Sequence, residues 1–209
     1  MPLKFAPAKA SFKLTAVGST ATKVITVTNV SGSSLTIGAL TGSGNFSAVG
    51  SGATPCSGAL AANAKCTLTV TFAPTIPATI KGGVAIATSA AGSPQALGAS
   101  GTTVLAVTLA PASLTFAAQA VGTTSAPQTV TLKNNATAVL TIGSIASSGD
   151  YAVAAGGGTP CGATVPAGAT CTFNVTFTPN ATGAISGAAT VNHNAPLGPA
   201  VLKLTGTGQ

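Results

Sequence analysis

The amino-acid sequence predicts an all-β protein that is built from two tandem β-sandwiches. Three observations lead to this prediction. The chain repeats itself over most of its 209 residues, apolar and polar residues alternate in several short segments, and Gly and Pro are frequent at 26 and 13 residues. No segment has the spacing of apolar residues that is typical of an amphipathic helix.

The internal repeat divides the chain into two domains. The sequence at 35–38 recurs at 140–143, and the sequence at 54–56 recurs at 159–161, so the halves align with a shift of 105 positions. Upstream, Phe12 aligns with Phe116, which is a shift of 104 and places one insertion or deletion near Thr123. The predicted domains are residues 1–102 and 103–209, and each has the usual size of a single domain.

Within each repeat the alternation of side chains is that of β-strands. In the segment that follows Cys66, the residues Leu68, Val70 and Phe72 fall on one face, and threonines fall on the other. This is the pattern of an antiparallel sheet with one buried face and one solvated face. About seven short strands per repeat, separated by turn residues, predict a β-sandwich.

Four cysteines occur as one pair in each repeat, Cys56 with Cys66 and Cys161 with Cys171. The simplest interpretation is one local disulfide per domain, which would stabilise the fold by about 2–3 kcal/mol. Asn63 and Gly168 occupy matched positions between the cysteines and both tolerate the left-handed backbone of a tight turn. A zinc site or a redox pair would need closer spacing of the cysteines.

The segments around the second cysteine of each pair resemble a known family. The sequences Cys66–Pro74 and Pro166–Pro179, together with the closing Leu204–Gly208, are similar to abnormal-spindle/Hydin-type (ASH) domains. In the first copy, Asn63 replaces the Gly of that pattern, and the ending at 98–101 departs from it. The resemblance implies immunoglobulin-like sandwiches of the major-sperm-protein type and a structural role. It brings no catalytic residues, and the version with cysteines is similar to exported bacterial repeats.

The composition argues against nucleic acid and membrane partners. The formal charge is +7, but it comes from eight lysines that are never adjacent, without any arginine, and from a lack of acids. Nucleic-acid-binding proteins usually concentrate basic residues and aromatic stacking partners in one patch, so we expect no nucleic acid. No stretch of the chain has the 18–20 or so consecutive apolar residues of a membrane helix, so we expect no membrane insertion.

Few residues could carry chemistry, and we expect no enzymatic activity, no cofactor and no metal site. Asp150 is the only acid and His193 the only histidine, so paired-carboxylate catalysis and a catalytic triad both lack their residues. The glycines at 156–158 are not followed by the Lys of a phosphate-binding loop. Five Asn-x-Ser/Thr sequences occur, as chance predicts in so Thr-rich a chain: Asn29, Asn45, Asn135, Asn174 and Asn180.

These features favour a structural or adhesive module of a bacterial extracellular or cell-surface protein. The first residues lack the apolar run of a secretory signal, so that signal is expected outside this chain. One alternative is a subunit of a self-assembling filament, in which the segment from Pro2 to Leu14 is donated to a neighbour. Another is an intracellular scaffold. In every case we expect protein partners, or self-association as a homo-oligomer, through sheet edges.

Overall fold

The computed structural model describes residues 1–209 and consists of β-strands without any helix. The chain separates into two compact units, residues 1–104 and residues 105–209. The boundary predicted between residues 102 and 103 falls inside the last strand of the first unit, which ends at Val104. No helix is present that is long and apolar enough to cross a membrane.

The first unit contains nine strands in two sheets. One sheet has the order β1-β3-β7-β5 and the other has the order β2-β9-β8-β4-β6. The strands are β1 (Leu3–Ala6), β2 (Ala10–Ala16), β3 (Ala21–Asn29), β4 (Leu35–Ser43), β5 (Phe46–Gly50), β6 (Gly58–Leu60), β7 (Lys65–Phe72), β8 (Thr79–Thr88) and β9 (Gln95–Val104).

The second unit repeats this arrangement strand for strand. Its sheets have the orders β10-β12-β16-β14 and β11-β18-β17-β13-β15. The strands are β10 (Val107–Ala110), β11 (Ser113–Thr115), β12 (Gln128–Asn134), β13 (Leu140–Ser147), β14 (Tyr151–Ala155), β15 (Thr164–Val165), β16 (Thr170–Phe177), β17 (Gly183–His193) and β18 (Ala200–Gly208).

The strand order is that of an immunoglobulin-like sandwich. If β1, β3, β4, β5, β7, β8 and β9 are lettered A to G, the two sheets are A-B-E-D and G-F-C, as in immunoglobulin domains. The predicted fold class is therefore confirmed. There are nine strands per unit rather than about seven, because the first strand is divided between the two sheets and a short strand, β6 or β15, is added. β1 is antiparallel to β3, whereas β2 is parallel to β9.

The alternation of side chains builds the core as the sequence indicates. Leu68, Val70 and Phe72 are fully buried, and the threonines between them lie on the outer face of β7. In the second unit, the corresponding side chains of β16 are buried in the same way. Each unit has its own cluster of buried residues, so each encloses a separate core.

A group of three aromatic rings lies in the core of each unit. In the first unit, Phe46 stacks on Phe72 with ring centroids 4.8 Å apart. In the second, Tyr151 stacks on Phe177 at 4.9 Å. A third ring packs against each pair, Phe12 in the first unit and Phe116 in the second.

Glycine on the last strand makes room for these rings. A Cβ added at Gly206 would lie 2.7 Å from the ring of Phe177, which is closer than real Cβ contacts. A Cβ added at Gly101 would overlap the ring of Phe72 in the same way. The glycine that both repeats carry at this position is therefore required by close packing, since any side chain would displace the ring.

Candidate interaction surfaces

The two predicted disulfides are present, and they occupy the same place in each unit. The Cα atoms are 4.9 Å apart in the pair Cys56–Cys66 and 4.8 Å apart in Cys161–Cys171. The residue before the first cysteine pairs with the residue after the second, because Pro55 bridges to Thr67 and Pro160 to Thr172. The bridge therefore fixes the chain beside β7 or β16, just before it crosses to the opposite sheet.

The turn between the cysteines has the backbone that its sequence indicates. Asn63 has a φ of 60° and Gly168 a φ of 71°, so both adopt the left-handed conformation. Asn and Gly are the residues that enter this region at least cost. Two disulfides in one chain indicate that the protein matures in an oxidising environment.

A buried asparagine anchors the disulfide loop of the first unit. The side chain of Asn29 is fully buried at the end of β3. Its Nδ2 donates toward the carbonyl oxygens of Leu60 and Ala61 at 3.0 Å and of Ser33 at 2.8 Å. Its Oδ1 accepts from the backbone N–H of Ser31 at 2.9 Å. One side chain thus joins the loop after β3 to the turn after β6.

Asn134 does the same in the second unit. Its Nδ2 lies 2.8 Å from the carbonyl oxygen of Ala138, 3.0 Å from that of Val165 and 3.1 Å from that of Pro166. From the sequence, Asn29 was recognised only as part of an Asn-x-Ser sequence, and neither anchor was predicted. The signal was available, because each asparagine occupies an inward-facing position of its strand and recurs at the shift of 105.

The two disulfides differ in exposure. Cys56 is 2% exposed, whereas Cys161 is only partly buried. Beside it, Ile142 is partly buried although its counterpart Ile37 is 3% exposed. Both line a groove of about 480 Å³ on the second unit, together with Ile145 and Val153.

The short strand after the first cysteine explains this difference. In the first unit, β6 pairs with β4 through three residues, and Gly58 faces Ile37. In the second unit, β15 pairs with β13 through only two residues. Gly58 has a φ of 68°, and its counterpart Ala163 does not adopt a positive φ. Because an alanine enters that region only at a cost, the second unit keeps a shorter strand and a more open loop.

The groups that could carry chemistry have structural environments. Oδ2 of Asp150 accepts a hydrogen bond from the backbone N–H of Asn180 at 2.8 Å. Nδ1 of His193 accepts one from the backbone N–H of Ala195 at 3.2 Å, and burial lowers the pKa of this imidazole below its usual value. The structure contains no cluster of three or more His, Cys, Asp or Glu side chains that could hold a metal ion.

The segment from Pro2 to Leu14 is paired within its own unit. β1 forms a ladder with β3, and β2 forms one with β9. The edges of the first sheet are β1 and β5, and the edges of the second are β2 and β6. In this structure, donation of the segment to a neighbour would therefore require it to leave both sheets.

Comparisons with known proteins find likenesses only among solved structures. No protein-family model matches the chain, and no curated protein matches it in sequence. A protein of unknown function from Porphyromonas gingivalis is 13% identical with a TM-score of 0.42, over 99% of this chain and 100% of that one.

Two further likenesses involve one half of this chain. The ASH/PapD-like domain 7 of human CEP192 is 16% identical with a TM-score of 0.38, over 50% of this chain and 85% of that one. WR4, a C. elegans member of the MSP family, is 14% identical with a TM-score of 0.34, over 49% of this chain and 98% of that one. All three scores are below 0.5, so the immunoglobulin-like description given above comes from the strand order of the units themselves.

Proposed function

We propose that the chain is a non-catalytic structural or adhesive module of a bacterial extracellular or cell-surface protein. The observation that carries the proposal is the disulfide that recurs at the same place in both copies of the sandwich. A bridge of this kind persists in an oxidising compartment and is rare in the cytosol. The resemblance of the sequence around Cys66 and Cys171 to exported ASH-type repeats supports the same setting.

The remaining support comes from the fact that each unit has its own core and its own loop anchor. Each copy encloses its own core and anchors its own disulfide loop through a buried asparagine. Such units serve as repeating building blocks, because a domain with its own core can in principle fold alone. Each sheet has unpaired edge strands, which are the usual sites for β-strand addition by protein partners.

Alkylation of thiols in intact source cells tests the proposed extracellular location. Free thiols are blocked with an alkylating reagent before lysis, and the mass of the recovered chain is then measured. We expect no alkylated cysteine, together with labelling of the lysines by an amine reagent that does not cross membranes. Four alkylated cysteines in this material would overturn the proposal and favour the intracellular scaffold.

The assembly state of the purified protein distinguishes the filament subunit from the passive module. The free edges β5 and β14 are the observation that favours it, since an exposed strand can pair with another chain. Light scattering over a range of concentrations and negative-stain imaging measure the assembly state. A monomer without fibres at every concentration removes the filament, whereas fibres would replace the proposed passive module by an assembling subunit.

A further inference from the structure

Half of the lysines of this protein lie around one edge strand of the first unit. The first unit carries six lysines and no acid, and the second carries two lysines and Asp150. Four of the six surround Ser11 on β2, the edge strand of the second sheet. We call this group the lysine cluster; it consists of Lys9, Lys13, Lys23 and Lys81.

Strand pairing and one hydrogen bond place these side chains together. Nζ of Lys23 donates to the carbonyl oxygen of Ser11 at 3.3 Å. Ser11 pairs with Ser100, which in turn pairs with Lys81, so Lys81 lies in the same row of the sheet about 10 Å from Ser11. Lys9 and Lys13 are exposed two positions to either side of Ser11, Lys9 in the bend that precedes β2 and Lys13 on β2 itself.

The corresponding face of the second unit has the same backbone pairing but carries a single lysine, Lys203, which pairs with Ser113. Thr115 pairs with Thr205, which pairs with Ser186, so Ser186 stands where Lys81 stands in the first unit. Nε2 of Gln128 donates to the carbonyl oxygen of Thr115 at 3.0 Å and replaces the bond of Lys23. The counterparts of Lys9 and Lys13 are Ser113 and Ala117.

This comparison shows that the fold does not require the lysines. Lysine on an edge strand commonly prevents pairing with other chains. In the second unit, however, β11 is an edge strand in the same position, and it carries no charge. An unneutralised group of four cations on a chain with only 4% charged residues therefore calls for a function in binding.

We propose that the lysine cluster binds an acidic polysaccharide. A group of four cations around one edge strand, without any acid in the unit, attracts a polymer whose negative charges repeat along its length. Lysine is a flexible point charge, so it suits carboxylate or sulfate groups whose positions vary from one sugar to the next. No aromatic side chain of the chain is strongly exposed, so nucleic-acid bases would lack the stacking partners that they need.

The second unit supplies the variants that test this inference. The quadruple change K9S, K13A, K23Q and K81S gives the first unit the uncharged residues that the second unit carries at the same four positions. Because those residues are compatible with the same strand pairing, the variant is expected to fold. Its charge-matched control removes the four other lysines as K4T, K65T, K133T and K203T. The reverse change S113K, A117K, Q128K and S186K transfers the cluster to the second unit.

Binding of the purified chain to polygalacturonate and to dextran sulfate is measured at two salt concentrations. We expect the cluster variant to bind at least about tenfold more weakly, the control to lose less than threefold, and the reverse change to strengthen binding. Binding of the unchanged chain should also weaken about tenfold between ~50 and ~200 mM salt, as screening and counterion release require.

Three results would overturn the inference. They are no binding at low salt, equal losses in the cluster variant and its control, and tighter binding to single-stranded DNA or to phosphatidylglycerol vesicles than to the polysaccharides. The inference takes only the extracellular setting from the proposed function. Binding is measured on purified protein. Free thiols in source cells would therefore refute the extracellular location without changing the binding result.

Discussion

The two units share an interior and differ in their surfaces. Both place three aromatic rings against a glycine, and both fix the disulfide loop with a buried asparagine. The first unit adds a lysine cluster and encloses its disulfide, whereas the second has one lysine, Lys203, on the matching face and a partly exposed Cys161. The comparison teaches that packing and buried hydrogen bonds define this sandwich, while charge and loop closure are free to diverge.

The largest expected effect concerns what the units share. We expect Asn29→Ala and Asn134→Ala each to destabilise its own unit by about 3 kcal/mol, because buried carbonyl groups lose their donor at about 1–3 kcal/mol each. Native-state hydrogen exchange, which reports on the two units separately, measures the loss. The control is Asn63→Gly, which keeps the turn. A loss of stability with only one of the two variants would contradict the shared role.

The disulfides should respond differently to reductant. Without denaturant, dithiothreitol is expected to reduce Cys161–Cys171 well before Cys56–Cys66, because Cys161 is partly buried and Cys56 is 2% exposed. The unit that loses its bridge should lose about 2–3 kcal/mol of stability. Alkylation followed by peptide mass spectrometry identifies the reduced pair. Equal rates for the two pairs would show that the loop opens in both units alike.

A change at Gly58 tests why the two disulfides differ in their rate of reduction. Nothing lies within 4 Å of a Cβ added there, so Gly58→Ala acts through the backbone alone. We expect a loss of about 1 kcal/mol, since alanine is disfavoured at positive φ, and faster reduction of Cys56–Cys66. The matched control is Ala163→Gly, which is expected not to speed reduction of the second pair. An unchanged rate in Gly58→Ala would refute this explanation of the closed loop.

An effect of similar size is expected in the aromatic group. The hydroxyl of Tyr151 donates to the carbonyl oxygen of Ile185 at 2.9 Å, while the first unit has Phe46 at that position. Tyr151→Phe is expected to cost about 1 kcal/mol. The reciprocal change Phe46→Tyr is the control, since it adds a hydroxyl at the matched position of the first unit.

The same tyrosine makes the stability of the second unit depend on pH in the alkaline range. Burial, together with the charge of Asp150, raises the pKa of Tyr151 above its usual value. As the pH rises, Tyr151 therefore loses its hydroxyl proton in the unfolded chain before it does so in the folded chain. The stability that comes from the protonated hydroxyl is fully present below about pH 10 and decreases above it. Hydrogen exchange should show this decrease in the second unit, and it should vanish in Tyr151→Phe.

Some features of the molecule were predictable because local rules decide them. The alternation at Leu68, Val70 and Phe72 identified the buried face of β7, and the repeat identified the matching strand β16. The pairing of Cys56 with Cys66 followed from their separation in sequence. The roles of Asn29 and Asn134 were missed, because an asparagine at a strand end is usually a turn residue unless its partners are known.

The fold class, the duplication and the cysteine pairs can be read from the linear sequence, since they follow from periodicity, identity and spacing along the chain. The division of the first strand between two sheets becomes visible only in three dimensions. The tertiary structure also decided which disulfide is enclosed, and that Lys9, Lys13, Lys23 and Lys81 meet around Ser11. These features depend on contacts between strands that are distant in sequence, and such contacts leave no periodic signal in any one segment.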